Sequence, residues 1–396
     1  MHYSIAKDAS AKRVGAVTAS LRFGNVWFET SDEERPVAAR AARQGSVARE
    51  RLHLVVQKGN LFRREHPEIP ILLDQGRYLV ADMSPNEAAR CQQHAAQCFS
   101  IQPLPSSGTV FDHRTNAPQR AAQESVQAIV DRVSKPFFEE QLRKLVEFPT
   151  RLSTSQHFRH AAEQARSKLA ELGFETRLED IVVQGKASLN VIAERLGNGS
   201  APRDVLLACA HLDSINQQGG PTAPAPGADD NASGSAGVLT IAHALQDHQP
   251  SHDLRLILWG GEEQGLFGSI QHIASLSQSE RKRIRAVLNM DMIGVVNTQG
   301  HSVLIEGAAL SQSVIDGLAD AAALYTPLEV RTSLNPFNSD HVPFIDAGIP
   351  AVLTIEGDDS GNPHVHSAED TLDRIDAGLA LEILRMNVAY LTEQLE

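Results

Sequence analysis

Hydrophobic positions along the chain follow two different periods. Val126, Ile129, Val130 and Val133 recur at three- and four-residue spacing, as do Phe138, Leu142, Leu145 and Val146. Phe158, Ala161, Ala165, Leu169 and Leu172 continue the pattern up to Gly173, a residue suited to stop a helix at its C-terminus. Three successive helices are predicted there. Beyond them, short apolar runs alternate with helical stretches. Strands are predicted at residues 188–194, 204–210, 254–259, 286–290, 303–306 and 351–355, and helices at about 233–247, 311–324 and 377–394. This alternation predicts an α/β fold, with a mixed, largely parallel central sheet and helices on both faces. Sheets of that kind gather their ligands at the carboxyl ends of the strands.

The first hundred residues read differently. Residues 52–57, 78–81 and 99–101 are strand candidates, and Ser84-Pro85-Asn86-Glu87 opens a capped helix running towards residue 96. A small N-terminal α+β module over residues 1–110 is expected, as a regulatory, folding-assisting or partner-binding appendage or as an edge extension of the main domain. The stretch 104–109 (Leu-Pro-Ser-Ser-Gly-Thr) and Asn116-Ala117-Pro118 make the linker candidate, leaving residues 119–396 as the second domain.

Composition narrows the possibilities. A chain of 396 residues suits one large domain plus one small one. A net charge of −13 argues against a nucleic-acid partner, which would need a clustered basic surface. No apolar run approaches membrane-spanning length, and the first residues lack the apolar core of a secretory signal. The chain as written is expected in the cytoplasm, or outside the cell if it is a trimmed precursor. Three cysteines form no disulfide framework: Cys209 lies in an apolar run, while Cys91 and Cys98 are read as free thiols, with a local pair as the alternative.

The chemistry lies just past the predicted strands. The run 204–210 ends in His211-Leu212-Asp213, 254–259 leads to Glu262-Glu263, 286–290 to Asp291, and 351–355 to a loop holding His364 and His366. Between the first two lies Pro226-Gly227-Ala228-Asp229-Asp230-Asn231, a glycine-flanked acidic loop opening a helix. Each feature alone has an ordinary reading, as a half-buried histidine, a turn cap, a helix N-terminal acid cluster or a solvated acidic turn. Five of them at one sheet edge point to a metal site. Imidazoles and carboxylates suit zinc, and two zinc ions about 3.5–4 Å apart with a bridging carboxylate can share one hydroxide. Asp213, two residues past His211, is spaced to orient that imidazole.

These motifs resemble the co-catalytic di-zinc aminopeptidases, the family of the secreted bacterial leucine aminopeptidases. The resemblance runs from about Phe148, where residues 148–155 (Phe-Pro-Thr-Arg-Leu-Ser-Thr-Ser) look like the family's opening segment, and includes Asn289-Met290-Asp291 and Ser339-Asp340-His341. It implies a zinc-exopeptidase-like fold and two zinc ions. By the resemblance, His211 and Asp291 hold one ion, Glu263 and His366 hold the other, Asp230 bridges them, and Glu262 is the general base. His364 matches no role. Where those enzymes carry a tyrosine and a disulfide-bonded cysteine, this chain has Pro336-Phe337-Asn338. The implied activity is hydrolysis of N-terminal residues from peptides with a free amine. Rival readings are a carboxypeptidase or dipeptidase using Arg331 to bind a substrate carboxylate, a non-catalytic binding protein, and a single-zinc glutaminyl cyclase.

Overall fold

A computed structural model describes residues 1–7, 17–32, 43–93, 98–114 and 120–396. The chain divides into two compact units: residues 1–114 with 331–337 and 358–363, and residues 115–330 with 338–357 and 364–396.

The first unit is dominated by strands: β1 (His2–Ala6), β2 (Val17–Phe23), β3 (Val26–Ser31), β4 (Arg43–Ser46), β5 (Leu52–Gln57), β6 (Ile71–Gln75), β7 (Tyr78–Asp82), β8 (Phe99–Pro103) and β9 (Ser107–Arg114). Two helices, α1 (Leu61–Glu65) and α2 (Pro85–Gln93), interrupt them. Strands β6, β7, β5 and β8 form an antiparallel sheet in that order. Strands β2, β3, β1 and β4 pair antiparallel, and β9 lies parallel beside β2. The predicted helix start is a reciprocal cap, in which the Glu87 N–H donates to Ser84 Oγ at 3.2 Å and the Ser84 N–H donates to Glu87 Oε2 at 2.7 Å. Its predicted extension to residue 96 falls outside the described residues. Part of the expected linker is instead strand: Ser107, Gly108 and Thr109 pair with β2 through backbone groups, while their small side chains stay exposed and leave no apolar signal. Asn116-Ala117-Pro118 lies outside the described residues. Cys91, Cys98 and Cys209 are buried thiols.

The second unit opens with α3 (Glu124–Val130), α4 (Lys135–Val146) and α5 (Gln156–Glu171). There follow β10 (Glu175–Val183), β11 (Lys186–Arg195), β12 (Val205–His211), α6 (Gly234–Ala244), β13 (Asp253–Trp259), α7 (Phe267–Ser275), α8 (Gln278–Arg283) and β14 (Ile284–Met290). The chain continues with β15 (Ser302–Gly307), α9 (Gln312–Tyr325), β16 (Glu329–Ser333), α10 (His341–Asp346), β17 (Ala351–Glu356) and α11 (Ala377–Leu395). The sheet order in this unit is β10-β11-β13-β12-β14-β17-β15. Its centre, β13-β12-β14-β17, is parallel, and its flanks are antiparallel.

The apolar run of β12 shows why the centre is parallel and covered on both sides. Leu206, Ala208 and Ala210 pack into one core with α4, α5, α6 and α11, while Val205, Leu207 and Cys209 pack into a second with Ile273 of α7 and Phe344 of α10. A strand buried on both faces reads as a continuous hydrophobic run rather than an alternating one. Among the described residues no helix is long and apolar enough to cross a membrane.

Candidate metal centre

Four neighbouring parallel strands deliver the candidate residues, all within the second unit. His211 is the last residue of β12, Glu262 and Glu263 follow β13, Asp291 follows β14, and His366 lies in the loop after β17. Asp230 comes from the irregular turn that precedes α6. Gly227 makes that turn possible, because its φ is +51° and a Cβ there would sit 2.4 Å from Asp230 O and 2.5 Å from Ser214 Cβ. Gly260 allows the glutamate loop to leave β13 closely, since a Cβ would sit 2.4 Å from Leu189 O.

The structure brings together all seven residues singled out from the sequence. His211 Nε2 lies 3.1 Å from Asp230 Oδ1, 3.3 Å from Asp291 Oδ1 and 3.9 Å from Glu262 Oε2. His366 Nε2 lies 3.1 Å from Asp230 Oδ2 and 2.9 Å from Glu263 Oε2. Asp230 therefore turns one carboxylate oxygen to each imidazole. His211, Asp213 and Asp291 have no exposed surface, and Asp230, Glu262 and His366 have 5% or less.

Asp213 does more than its spacing from His211 suggests. His211 Nδ1 is 3.1 Å from the main-chain oxygen of Asp213 but 3.7 Å from its carboxylate. That carboxylate accepts the N–H groups of Glu262 and Glu263, each at 3.3 Å. Asp213 thus holds the backbone of the two glutamates while its main-chain oxygen and its carboxylate both lie beside the imidazole.

Three supporting residues carried no assigned role in the sequence. Arg151 is completely buried and directs four hydrogen bonds to carbonyl oxygens, those of Leu145, Leu212, Pro226 and Gly227, at 2.6–3.1 Å. It ties the loop after β12 to the loop carrying Asp230. Burial pulls its pKa down to about 10, against the pull of Asp370, Asp213, Asp230 and Glu263. Asp370 accepts the N–H groups of Asp229 and Asp230 at 2.9 and 3.0 Å, and burial pushes its carboxyl up to about 7 despite those bonds. Ser339 donates to Asp291 Oδ2 at 2.8 Å and accepts from Asn289 Nδ2 at 2.8 Å. Only its place in the Ser-Asp-His motif marked it in advance. Arg331, the candidate for binding a substrate carboxylate, belongs to the first unit, where its guanidinium carbon lies 5.9 Å from the centre of the Phe111 ring.

The donor set fits metal ions. The 2.9–3.3 Å spacings between imidazole nitrogens and carboxylate oxygens are close to the ~3.3 Å edge of a tetrahedron with ~2.0 Å metal–ligand bonds. Glu263 Oε1 is buried with no hydrogen-bond partner among the described residues. His211 is pulled two ways, with burial favouring the neutral ring and the carboxylates of Glu262 and Asp291 raising its pKa well above the ordinary value. Among the described residues, ligand-type atoms gather in two groups, His211–Asp230–Glu263 and His211–Glu262–Asp291.

Comparison with known proteins identifies relatives of this chain. The chain is 35% identical over 204 residues to leupeptin-inactivating enzyme 1 of Streptomyces exfoliatus, covering 51% of this chain but only 43% of that protein. It is 28% identical to a probable leucine aminopeptidase of Trichophyton verrucosum, covering 70% of this chain and 78% of the relative. Among solved structures, the LapA aminopeptidase of Legionella pneumophila superposes with a TM-score of 0.64 at 17% identity, over 87% of this chain and 98% of that one. A Porphyromonas gingivalis glutaminyl cyclase shares the fold with a TM-score of 0.53 at 21% identity, over 66% of this chain and 98% of that one. The family model described as peptidase family M28 matches residues 190–391, the span containing every strand-end residue above, and the chain belongs to that family.

Proposed function

We propose that the chain is a zinc-dependent aminopeptidase that releases N-terminal residues from peptides. The observation that carries this reading is Asp230, whose two carboxylate oxygens face separate imidazoles at 3.1 Å each. A carboxylate so placed would suit two neighbouring cations. His211 and Asp291 would hold one zinc, Glu263 and His366 the other, and Asp230 would serve both. When bound, the ions supply Lewis acidity towards the scissile carbonyl and make water a better nucleophile at neutral pH.

The chain's own groups do the rest. Glu262 is the proton carrier: it takes the proton of the attacking water and passes it to the leaving amine. Its neighbour Glu263 is turned towards His366, so the adjacent glutamates have separate tasks. Asp213 fixes both by accepting their N–H groups. The concentration of carboxylates favours a substrate with a charged amino terminus. Peptides with a free N-terminus are the proposed substrates, and no nucleic-acid or membrane partner is proposed.

A shared fold does not decide the chemistry. Leucine p-nitroanilide, an N-acetylated dipeptide, a C-terminally amidated dipeptide and a glutaminyl peptide, each assayed with chelator and after zinc readdition, separate the readings. Zinc-dependent release of p-nitroaniline, with acetylation lowering turnover by orders of magnitude and amidation mattering far less, is expected. The reverse pattern would indicate a carboxypeptidase, and cyclisation without cleavage a glutaminyl cyclase. Elemental analysis should find two zinc ions per chain, and a content of one or none counts against the paired centre.

A further inference from the structure

The second unit holds a cavity of about 350 Å³ beside the glutamate loop, at the small end of the range for ligand pockets. Gln264, on its wall, directly follows Glu263, and Ile215 and Asn216 on another wall follow Asp213 closely. The third wall is the tip of the β10–β11 hairpin, with Val183, Gln184 and Lys186. Gln184 and Gly185 both have positive φ, 49° and 79°, the backbone of a tight primed hairpin turn.

Hydrogen bonds tie these walls to the candidate centre. Ser188 Oγ donates to Ser153 O at 2.7 Å, and Ser153 Oγ donates to Gln264 Oε1 at 2.8 Å. Gln271, on the helix after the glutamates, both accepts from the Val182 N–H at 3.0 Å and donates to Val182 O at 2.8 Å. The Gln217 N–H donates to His366 O at 3.1 Å. The cavity is therefore held by the same loops that hold Glu262, Glu263 and His366.

Its lining chemistry contrasts with its surroundings. Leu152, Val183, Ile215 and Pro221 supply apolar surface, Lys186 is a cation, and among the described residues no lining side chain is acidic. Lys186, with no lining carboxylate to offset it, gives this pocket a local preference for an anion against the chain's net charge of −13.

We propose that this cavity receives the part of the peptide downstream of the scissile bond, and that Lys186 gives it a preference for a carboxylate there. The proposal rests on the aminopeptidase reading. Glu262 hands its proton to the leaving amine, so the leaving portion starts at the glutamate loop and passes Gln264 into the cavity. The carboxylate has two possible sources, an acidic side chain next to the cleaved bond or the free C-terminus of a dipeptide. Lys186 is exposed, so the preference is modest, about two- to fivefold in kcat/KM.

The test compares leucyl-glutamine amide, leucyl-glutamate amide and leucyl-glutamine with a free C-terminus, on zinc-loaded wild type, Lys186→Met and Lys186→Glu. Leucine p-nitroanilide is run alongside to read hydrolysis itself. Wild type should favour at least one carboxylate substrate over the neutral amide. Lys186→Met should level the substrates, and Lys186→Glu should favour the neutral one. A gain with the glutamate amide assigns the acidic side chain, and a gain with the free dipeptide assigns the C-terminus. Hydrolysis of all substrates with no carboxylate preference, or a preference that survives Lys186→Met, overturns the proposal alone. Failure to cleave any of them, leucine p-nitroanilide included, overturns the aminopeptidase reading and this subsite with it.

Discussion

Two groups of buried carboxylates, one in each unit, sit in opposite electrostatic surroundings. In the first unit Asp359 meets the buried Arg77 guanidinium at 3.1 Å and accepts the Gly59 N–H at 2.9 Å. That carboxylate is neutralised by a cation of the same unit. In the second unit, Asp230, Asp291 and Glu263 crowd around His211 and His366, while the buried guanidinium of Arg151 turns to carbonyl oxygens. A buried charge persists only if something balances it. The Arg77–Asp359 arrangement is complete within the chain and reads as structure. The crowded one holds more negative charge than its own side chains balance and reads as a site for added cations.

The largest expected effect breaks the second group at its centre. Asp230→Ala should lose both ions and all detectable hydrolysis, read by elemental analysis and kcat/KM. Retention of one full equivalent of zinc would show that Asp230 does not serve two positions.

Next, the adjacent glutamates should separate. Glu262→Gln is expected to keep its metal and lose about 10²–10⁴-fold in kcat, the usual worth of a general acid–base group. Glu263→Gln should lose metal. Equal metal content and equal activity in the two variants would remove the proposed division of labour.

In the first unit, Arg77→Met strands a buried carboxylate and should destabilise the protein by about 3–5 kcal/mol in denaturant unfolding. Zinc content should not change. If this variant were stripped of zinc, the contrast between self-neutralised and cation-seeking carboxylates would fail.

The smallest effect is a pH slope at Asp340, which accepts a hydrogen bond from Ser269 Oγ at 2.5 Å. Burial raises its pKa from 3.8 to about 7, against the lowering pull of His211 and Ser269. The folded state therefore keeps a proton that the unfolded chain releases at lower pH. The resulting stability is fully present below the ordinary carboxylate pKa and is lost as pH rises through about 7. Metal-free protein should lose melting temperature over that range, and Asp340→Asn should flatten the slope. An unchanged slope in the variant would place the titration elsewhere.

At the centre of the second unit legibility in the sequence tracked burial, although the largely buried β1 and β3 of the first unit were not predicted. Strands β12, β13, β14 and β17, covered on both faces, stand out as continuous apolar runs, and the chemistry follows at their ends. Strand β10 is half-exposed and carries Glu175, Arg177, Glu179 and Asp180, a charged edge with no apolar signature, and was not predicted. Strand β4, with Arg43, Gln44 and Ser46, was hidden for the same reason.

The sequence by itself determined which groups stand at the strand ends and in what order, because a strand's period and its apolar content are local properties. Only the tertiary structure decided what those groups face. Asp370 is 140 residues from Asp230, yet it receives that residue's N–H, and Arg151 reaches carbonyls 61 to 76 positions away. Asp213 shows the limit most clearly: its spacing from His211 pointed to the imidazole, but the glutamate loop, about 50 residues on, places two N–H donors where its carboxylate can take both. Backbone donors brought in by a distant loop are invisible to spacing, because every residue but proline carries one and only the closed fold aims it.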